Sequence, residues 1–124
     1  MAALQQVGLA DKAMANAGGL SHGGHRQLEI AMALAGTSKL LLLDEPMAGM
    51  GGEESARMVV LLRELKATKS ILLIEHDMDV VFALADRITV MVDGKAIASG
   101  RPEEIRADEN VRHAYLGTET PGDA

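Results

Sequence analysis

Two short, wholly apolar runs, LLLL at 40–43 and ILLI at 71–74, stand on either side of a segment with helical periodicity. Uninterrupted runs of this length suit strands buried on both faces of a parallel sheet. Between them, over residues 53–66, Met58, Leu61, Leu62 and Leu65 recur on one face. Glu53, Glu54, Arg57, Arg63 and Lys66 fall on the other, which predicts an amphipathic helix. Strand, helix and strand at this spacing form a βαβ unit, and the right-handed crossover makes the two strands parallel neighbours.

On the amino-terminal side, Leu4, Val7 and Met14 give a modest helical pattern, broken by Gly8 and ended by Gly18-Gly19. Ser21 is placed to cap a helix over about 25–35, with Leu28, Ala31, Met32 and Ala35 on one face and Gly36 closing it. Beyond the second strand, residues 78–85 read as a helix. In ITVMVDGKAIAS (88–99), Asp93-Gly94 between two apolar runs is a strong hairpin signal. Residues 102–116 read as one or two short helices with Pro102 at a start, and 118–124 form a polar tail. The class is α/β.

Composition narrows the chemistry. The 124 residues carry a net charge of −6, and Phe82 and Tyr115 are the only aromatics. An acidic chain without stacking platforms argues against a nucleic-acid partner. Cysteine is absent, which removes disulfides, thiolate metal ligands and thiol nucleophiles. Eight methionines serve as adaptable core filling. No signal peptide is visible at the start of the chain, and no apolar run is long enough to span a bilayer.

Three places bear chemistry. Asp44-Glu45 ends the first strand, where α/β proteins bind ligands; an Asp there can hold hydrated magnesium and a neighbouring Glu can orient water. In LSHGGHRQ (20–27), a serine followed by glycines at a helix start makes an anion site from bare N–H groups and the helix dipole. His76, in LLIEHDMD after the second strand, is placed to sense a terminal phosphate. Singly, the acidic pair is equally well read as a plain strand end, and the serine–glycine stretch and His76 are better read as an ordinary helix cap and a surface or capping histidine; their order makes them a set. His22 and His25 form an H-x-x-H pair, but with no third ligand nearby in sequence the pair falls short of a zinc site. No G-x-x-x-x-G-K-[ST] phosphate loop occurs in the chain.

With those motifs, the chain resembles the carboxyl-terminal half of the ATP-binding subunit of ABC transporters. LSHGGHRQLEIAMALA (20–35) is similar to the signature motif and its helix, and LLLLDEP (40–46) to the Walker B motif. AGMG (48–51) falls at the D-loop and His76 at the switch histidine. The likeness runs from about Val7 to Gly117, and implies a domain portion over 1–117. Within the family, IEHDMDVV, EPMAGM and AYLG are most similar to branched-chain amino acid importer ATPases, with the lipopolysaccharide-export ATPase a near relative.

The resemblance implies a partial P-loop NTPase fold: a parallel βαβ core, a carboxyl-terminal β-hairpin and short helices, without the phosphate-loop half. It implies two ATPase subunits clasping two ATP molecules head to tail. Asp44 would hold Mg2+ through water, Glu45 would act as general base and His76 would touch the γ-phosphate. Ser21 and Gly23 would reach the partner's nucleotide in trans. Membrane permease subunits are the other partners, which places the assembly on the cytoplasmic face of the plasma membrane. His22, Gly24 and Gly51 depart from the family's usual glycine, glutamine and Asp or Asn. The phosphate loop, the glutamine loop and the adenine-stacking aromatic are expected before Met1. The strand that loop follows would lie between 71–74 and the strand beginning near Ile88. Its loss implies a gap, closed by direct pairing of those strands or by strand exchange in a homodimer. The isolated chain is expected not to hydrolyse ATP. Two other readings are a split SMC-like ATPase lobe and a non-catalytic interaction module.

Overall fold

A computed structural model describes residues 1–116 in two compact units, 1–75 and 76–124, with 117–124 outside the described residues. The expected polar tail at 118–124 therefore lies outside them too.

The first unit begins with α1 (Ala2–Gln6), which ends at Gly8, whose φ of 81° glycine adopts without strain. Val7 and Leu9 turn inward around it, whereas Met14, part of the helical pattern read from the sequence, is 98% exposed. Helix α2 (His22–Leu34) starts three residues earlier than its apolar spacing implied, because the Ser21 hydroxyl accepts the Gly24 N–H at 3.0 Å and fixes the first turn. Its inward face is also rotated: Ile30 and Ala31 are buried but Met32 is exposed. The Gln27 amide, donating to the Val7 carbonyl at 2.9 Å, draws the 23–27–30–31 side inward.

Strands β1 (Leu40–Asp44) and β2 (Ser70–Ile74) pair in parallel, with Leu42 opposite Leu72 and Asp44 opposite Ile74. Helix α3 (Gly52–Leu65) is the crossover, and it buries the four predicted side chains Met58, Leu61, Leu62 and Leu65. The strands differ from expectation in one respect. Leu41 is buried, yet Leu40, Leu42, Leu72 and Ile74 are 54–68% exposed. Only one face of this two-stranded sheet is covered. A strand's side chains alternate between faces, so the opposite face shows leucine and isoleucine to solvent.

In the second unit, α4 (Met78–Leu84) is capped by Asp77, whose carboxylate accepts from the Asp79 and Val80 N–H groups. The predicted hairpin forms from β3 (Ile88–Val92) and β4 (Lys95–Gly100), antiparallel, with a bulge between Val90 and Met91. Asp93 and Gly94 turn the chain with φ of 50° and 76°, the double left-handed turn that matches strand twist. Pro102 opens α5 (Pro102–Ala107), and Glu104 reaches back to the Arg101 N–H. Helix α6 (Glu109–Val111) continues into a wider π turn, Arg112–Leu116. Ile88, Val90, Ile105 and Val111 form the core of this unit.

Strands β2 and β3 belong to separate two-stranded sheets, so the expected direct pairing of 71–74 with 88–92 does not form. β3 pairs with β4 along one edge, as the hairpin requires, and among the described residues no strand pairs with its other edge.

Candidate functional site

The amino-terminal end of α2 is built around two glycines. Ser21 has extended backbone and caps the helix, leaving His22 and Gly23 as its first two residues. Gly23 and Gly24 are both buried. A methyl group on Gly24 would lie 3.0 Å from Cβ of Leu20, so the missing glutamine side chain leaves a tight turn rather than a loose one. A methyl on Gly23 would lie 2.8 Å from Oε2 and 3.2 Å from Oε1 of Glu54, in the first turn of α3. The Glu54 carboxylate thus rests directly on Gly23. Sequence periodicity assigned Glu54 to the solvent face, yet it is half-buried. The signal that identifies it is its place in the first turn of α3, where a carboxylate is favoured. Ser21, Gly23, Gly24 and Glu54 line one cleft of about 680 Å³, with Lys12 and Arg57 also on its walls.

The second group sits at the end of β1. Asp44 is the last strand residue and is exposed. The next residue, Glu45, donates its N–H to the Ile74 carbonyl at 2.7 Å, extending the sheet by one bond. Its φ is +48°, left-handed, although it is not glycine and it precedes Pro46. Such a backbone costs on the order of 1–3 kcal/mol and tends to mark functional positions. Its carbonyl accepts the Ala48 N–H at 3.1 Å, closing a turn that carries the chain away from the sheet. Sequence patterning gave no hint of this kink.

Asp44 lines a depression with Leu40, Leu42 and Pro46, and this depression shares no residue with the cleft of Ser21 and Gly23. The serine–glycine pair and the acidic pair are not brought into one pocket. His76 opens the second unit, exposed, two residues beyond β2. The His25 ring hydrogen-bonds the Ala17 carbonyl at 2.8 Å. Among the described residues no group of three or more His, Cys, Asp or Glu could hold a metal by itself. Asp44 is still a hard oxygen donor at an open strand end, which fits a hydrated Mg2+ completed by other ligands.

Comparison with known proteins gives the family. The family model for "ABC transporter" matches residues 1–48, and that for "Branched-chain amino acid ATP-binding cassette transporter" matches 97–120. The chain is 42% identical over 116 residues to the high-affinity branched-chain amino acid transport ATP-binding protein LivG of Salmonella typhimurium, covering 92% of this chain and 46% of that one. It is 37% identical over 99 residues to the lipopolysaccharide export system ATP-binding protein LptB of Acidithiobacillus ferridurans, covering 79% of this chain and 41% of that one. A nucleotide-free ATP-binding cassette from an ABC transporter superposes with a TM-score of 0.83 at 31% identity, over 94% of this chain and 48% of that chain. The chain spans about half the length of the relatives it matches. It belongs to the ABC transporter ATP-binding family, in which it corresponds to the carboxyl-terminal half of the cassette and resembles the branched-chain amino acid branch.

Proposed function

We propose that this chain supplies the signature and Walker B portion of an ATPase subunit that drives an ABC importer of the branched-chain amino acid type. The observation that carries the reading is the separation of two phosphate-directed surfaces on one unit. Ser21 and Gly23 line one cleft and Asp44 another. Head-to-tail pairing of two subunits needs this division, because each subunit then serves its own nucleotide with the acids and its partner's nucleotide with the serine and glycine.

In that assembly the α2 N-terminus offers N–H groups and a favourable dipole to the partner's terminal phosphate. Asp44 would hold the hydrated metal through its exposed carboxylate, and Mg2+, when bound, would neutralise charge on the phosphate oxygens. Glu45 orients and deprotonates water, with its carboxylate position set by the left-handed backbone. His76 contacts the γ-phosphate. The reading requires a phosphate-loop half and a second ATPase subunit, and permease subunits that hold the assembly at the cytoplasmic face of the plasma membrane. Among the described residues no helix is long and apolar enough to cross a membrane.

The test is reconstitution. A polypeptide with the phosphate-loop half of a related cassette is mixed with this chain, and magnesium-dependent phosphate release is measured. Release is expected to appear on mixing and to fall at least about 100-fold in Glu45→Gln, while nucleotide binding persists. Equal rates for Glu45→Gln and the parent chain would remove Glu45 from its role.

A further inference from the structure

His25, one half of the H-x-x-H pair, is bonded to the chain on both sides of Ser21. Its backbone N–H donates to the Ser21 carbonyl at 2.9 Å, within the first turn of α2. Its ring Nε2 lies 2.8 Å from the Ala17 carbonyl, eight residues back. A carbonyl only accepts, so the ring donates and the hydrogen sits on Nε2. The same carbonyl accepts the Leu20 N–H at 3.1 Å, and Leu20 leads directly into Ser21. Asn16 and Ala17 are exposed and Gly18 and Gly19 carry no side chain, so burial does not anchor the Ala17–Gly19 turn. Hydrogen bonding must hold it, and the His25 ring ties it to the helix that follows.

We propose that His25 is a positioning residue: by holding the Ala17–Gly19 turn, its ring fixes the backbone that delivers Ser21 and so the direction of the Ser21 hydroxyl. The inference rests on the reading in which Ser21 meets the partner's terminal phosphate. That hydroxyl oxygen accepts the Gly24 N–H at 3.0 Å, which leaves its own hydrogen to donate to a phosphate oxygen. The cap sets the oxygen relative to α2, and the turn sets the direction from which the chain enters the cap. With the ring bond lost, residues 17–20 sample other entries and the capped state of Ser21 is less populated. His25 thus acts through Ser21.

The experiment has two arms. The first compares amide hydrogen exchange at Leu20 and Gly24 in the 124-residue chain and two variants. His25→Phe keeps a ring without a donor; His25→Gln keeps an N–H the same number of bonds from Cα. Replacing this exposed side chain should leave the fold intact. Exchange is expected to quicken about three- to tenfold in His25→Phe and to return towards the parent in His25→Gln. Unchanged exchange in His25→Phe, or equal quickening in both variants, would overturn the inference. The second arm mixes each protein with the phosphate-loop half and measures phosphate release, beside Ser21→Ala and the Ser21→Ala, His25→Phe double variant. Release should fall about three- to tenfold in His25→Phe and recover in His25→Gln, and His25→Phe should cost nothing further once Ser21 is replaced. A further loss in the double variant would overturn action through Ser21. Parent-like release by Ser21→Ala, or no release from any mixture, would overturn the reading of Ser21 and the inference with it. The exchange arm separates that failure from a failure of His25 to hold the turn.

Discussion

The exposed face of the β1–β2 sheet yields the prediction with the largest working magnitude. Leu40, Leu42, Leu72 and Ile74 stand on one face at 54%, 68%, 58% and 56% exposure. Burying a whole leucine or isoleucine is worth about 1.5–3 kcal/mol, so covering the remaining half or so of each contributes about 1–2 kcal/mol, and about 4–7 kcal/mol for the four. A face of that value is the surface on which a phosphate-loop half, as proposed above, is expected to dock. The perturbation is Leu42→Thr with Leu72→Thr, two positions directly opposite in the register. Threonine keeps β-propensity, so the strands persist.

Because both side chains are more than half exposed already, the stability of the chain alone should change by no more than about 0.5 kcal/mol for each substitution. Affinity for a phosphate-loop half should drop by about 2–3 kcal/mol, or roughly 30- to 150-fold. Urea denaturation measures the first quantity and isothermal titration the second. Self-association by sedimentation should fall as well, since the same face drives unspecific pairing. Undiminished affinity in the double variant would refute the argument, because it would mean the apolar face takes no part in completing the domain. A large loss of stability in the isolated chain would refute it differently, by showing that the face is already satisfied.

Leu62→Ala removes a side chain that is 1% exposed, and should lower unfolding free energy by about 2–5 kcal/mol in urea titration. Gly23→Ala should destabilise the chain by forcing Glu54 aside, and Glu54→Ala should relieve most of that cost, giving a coupling of about 0.5–3 kcal/mol in a double-mutant cycle; additive effects would place the carboxylate elsewhere. The pure chain should release no phosphate from ATP above a Glu45→Gln control, because no phosphate loop is present to cradle the nucleotide.

The elements legible in the sequence were those whose neighbours are local. The α3 stripe of Met58, Leu61, Leu62 and Leu65 came out as read, and so did the Asp93-Gly94 turn and the Ser21 cap. Each is fixed by side chains within a turn or two of itself. What failed depended on distant chain. Four leucines at 40–43 look the same whether one face or two is covered, since an apolar run states a capacity for burial and not its fulfilment. On α2 the predicted Ala31 is buried, but Ile30 takes the inward place expected of Met32, beside the bond between Gln27 and the Val7 carbonyl, twenty residues away. The acids at 44 and 45 were found by position on a strand end, but the left-handed backbone of Glu45 has no sequence signal, least of all before a proline. Glu54 was misassigned because periodicity distinguishes only the inward and outward faces of a helix, and an anion at a helix N-terminus belongs to neither.

Asp44 ties the apolar face to the chemistry. Strand alternation puts Leu40, Leu42 and Asp44 on the same side, and the register sets Ile74 opposite Asp44. Any segment that covers Leu42, Leu72 and Ile74 therefore also approaches Asp44 and strips water from it. Burying an uncompensated carboxylate costs more than the leucines contribute, so a purely apolar partner would be rejected at this corner. The partner must bring a cation to the edge of the apolar patch. This requirement comes from the face alone, and a phosphate-loop half that carries magnesium with its nucleotide meets it. It also predicts the effect of Asp44→Asn. Removing the charge should weaken magnesium-dependent nucleotide binding in the reconstituted cassette by about 10-fold or more. In the absence of nucleotide and metal, the same variant should bind the phosphate-loop half at least as tightly as the parent chain, because it no longer carries a charge to desolvate. Weaker docking under those conditions would show that Asp44 contributes to the interface by some other contact, and that the apolar face and the metal-holding acid are not coupled through desolvation.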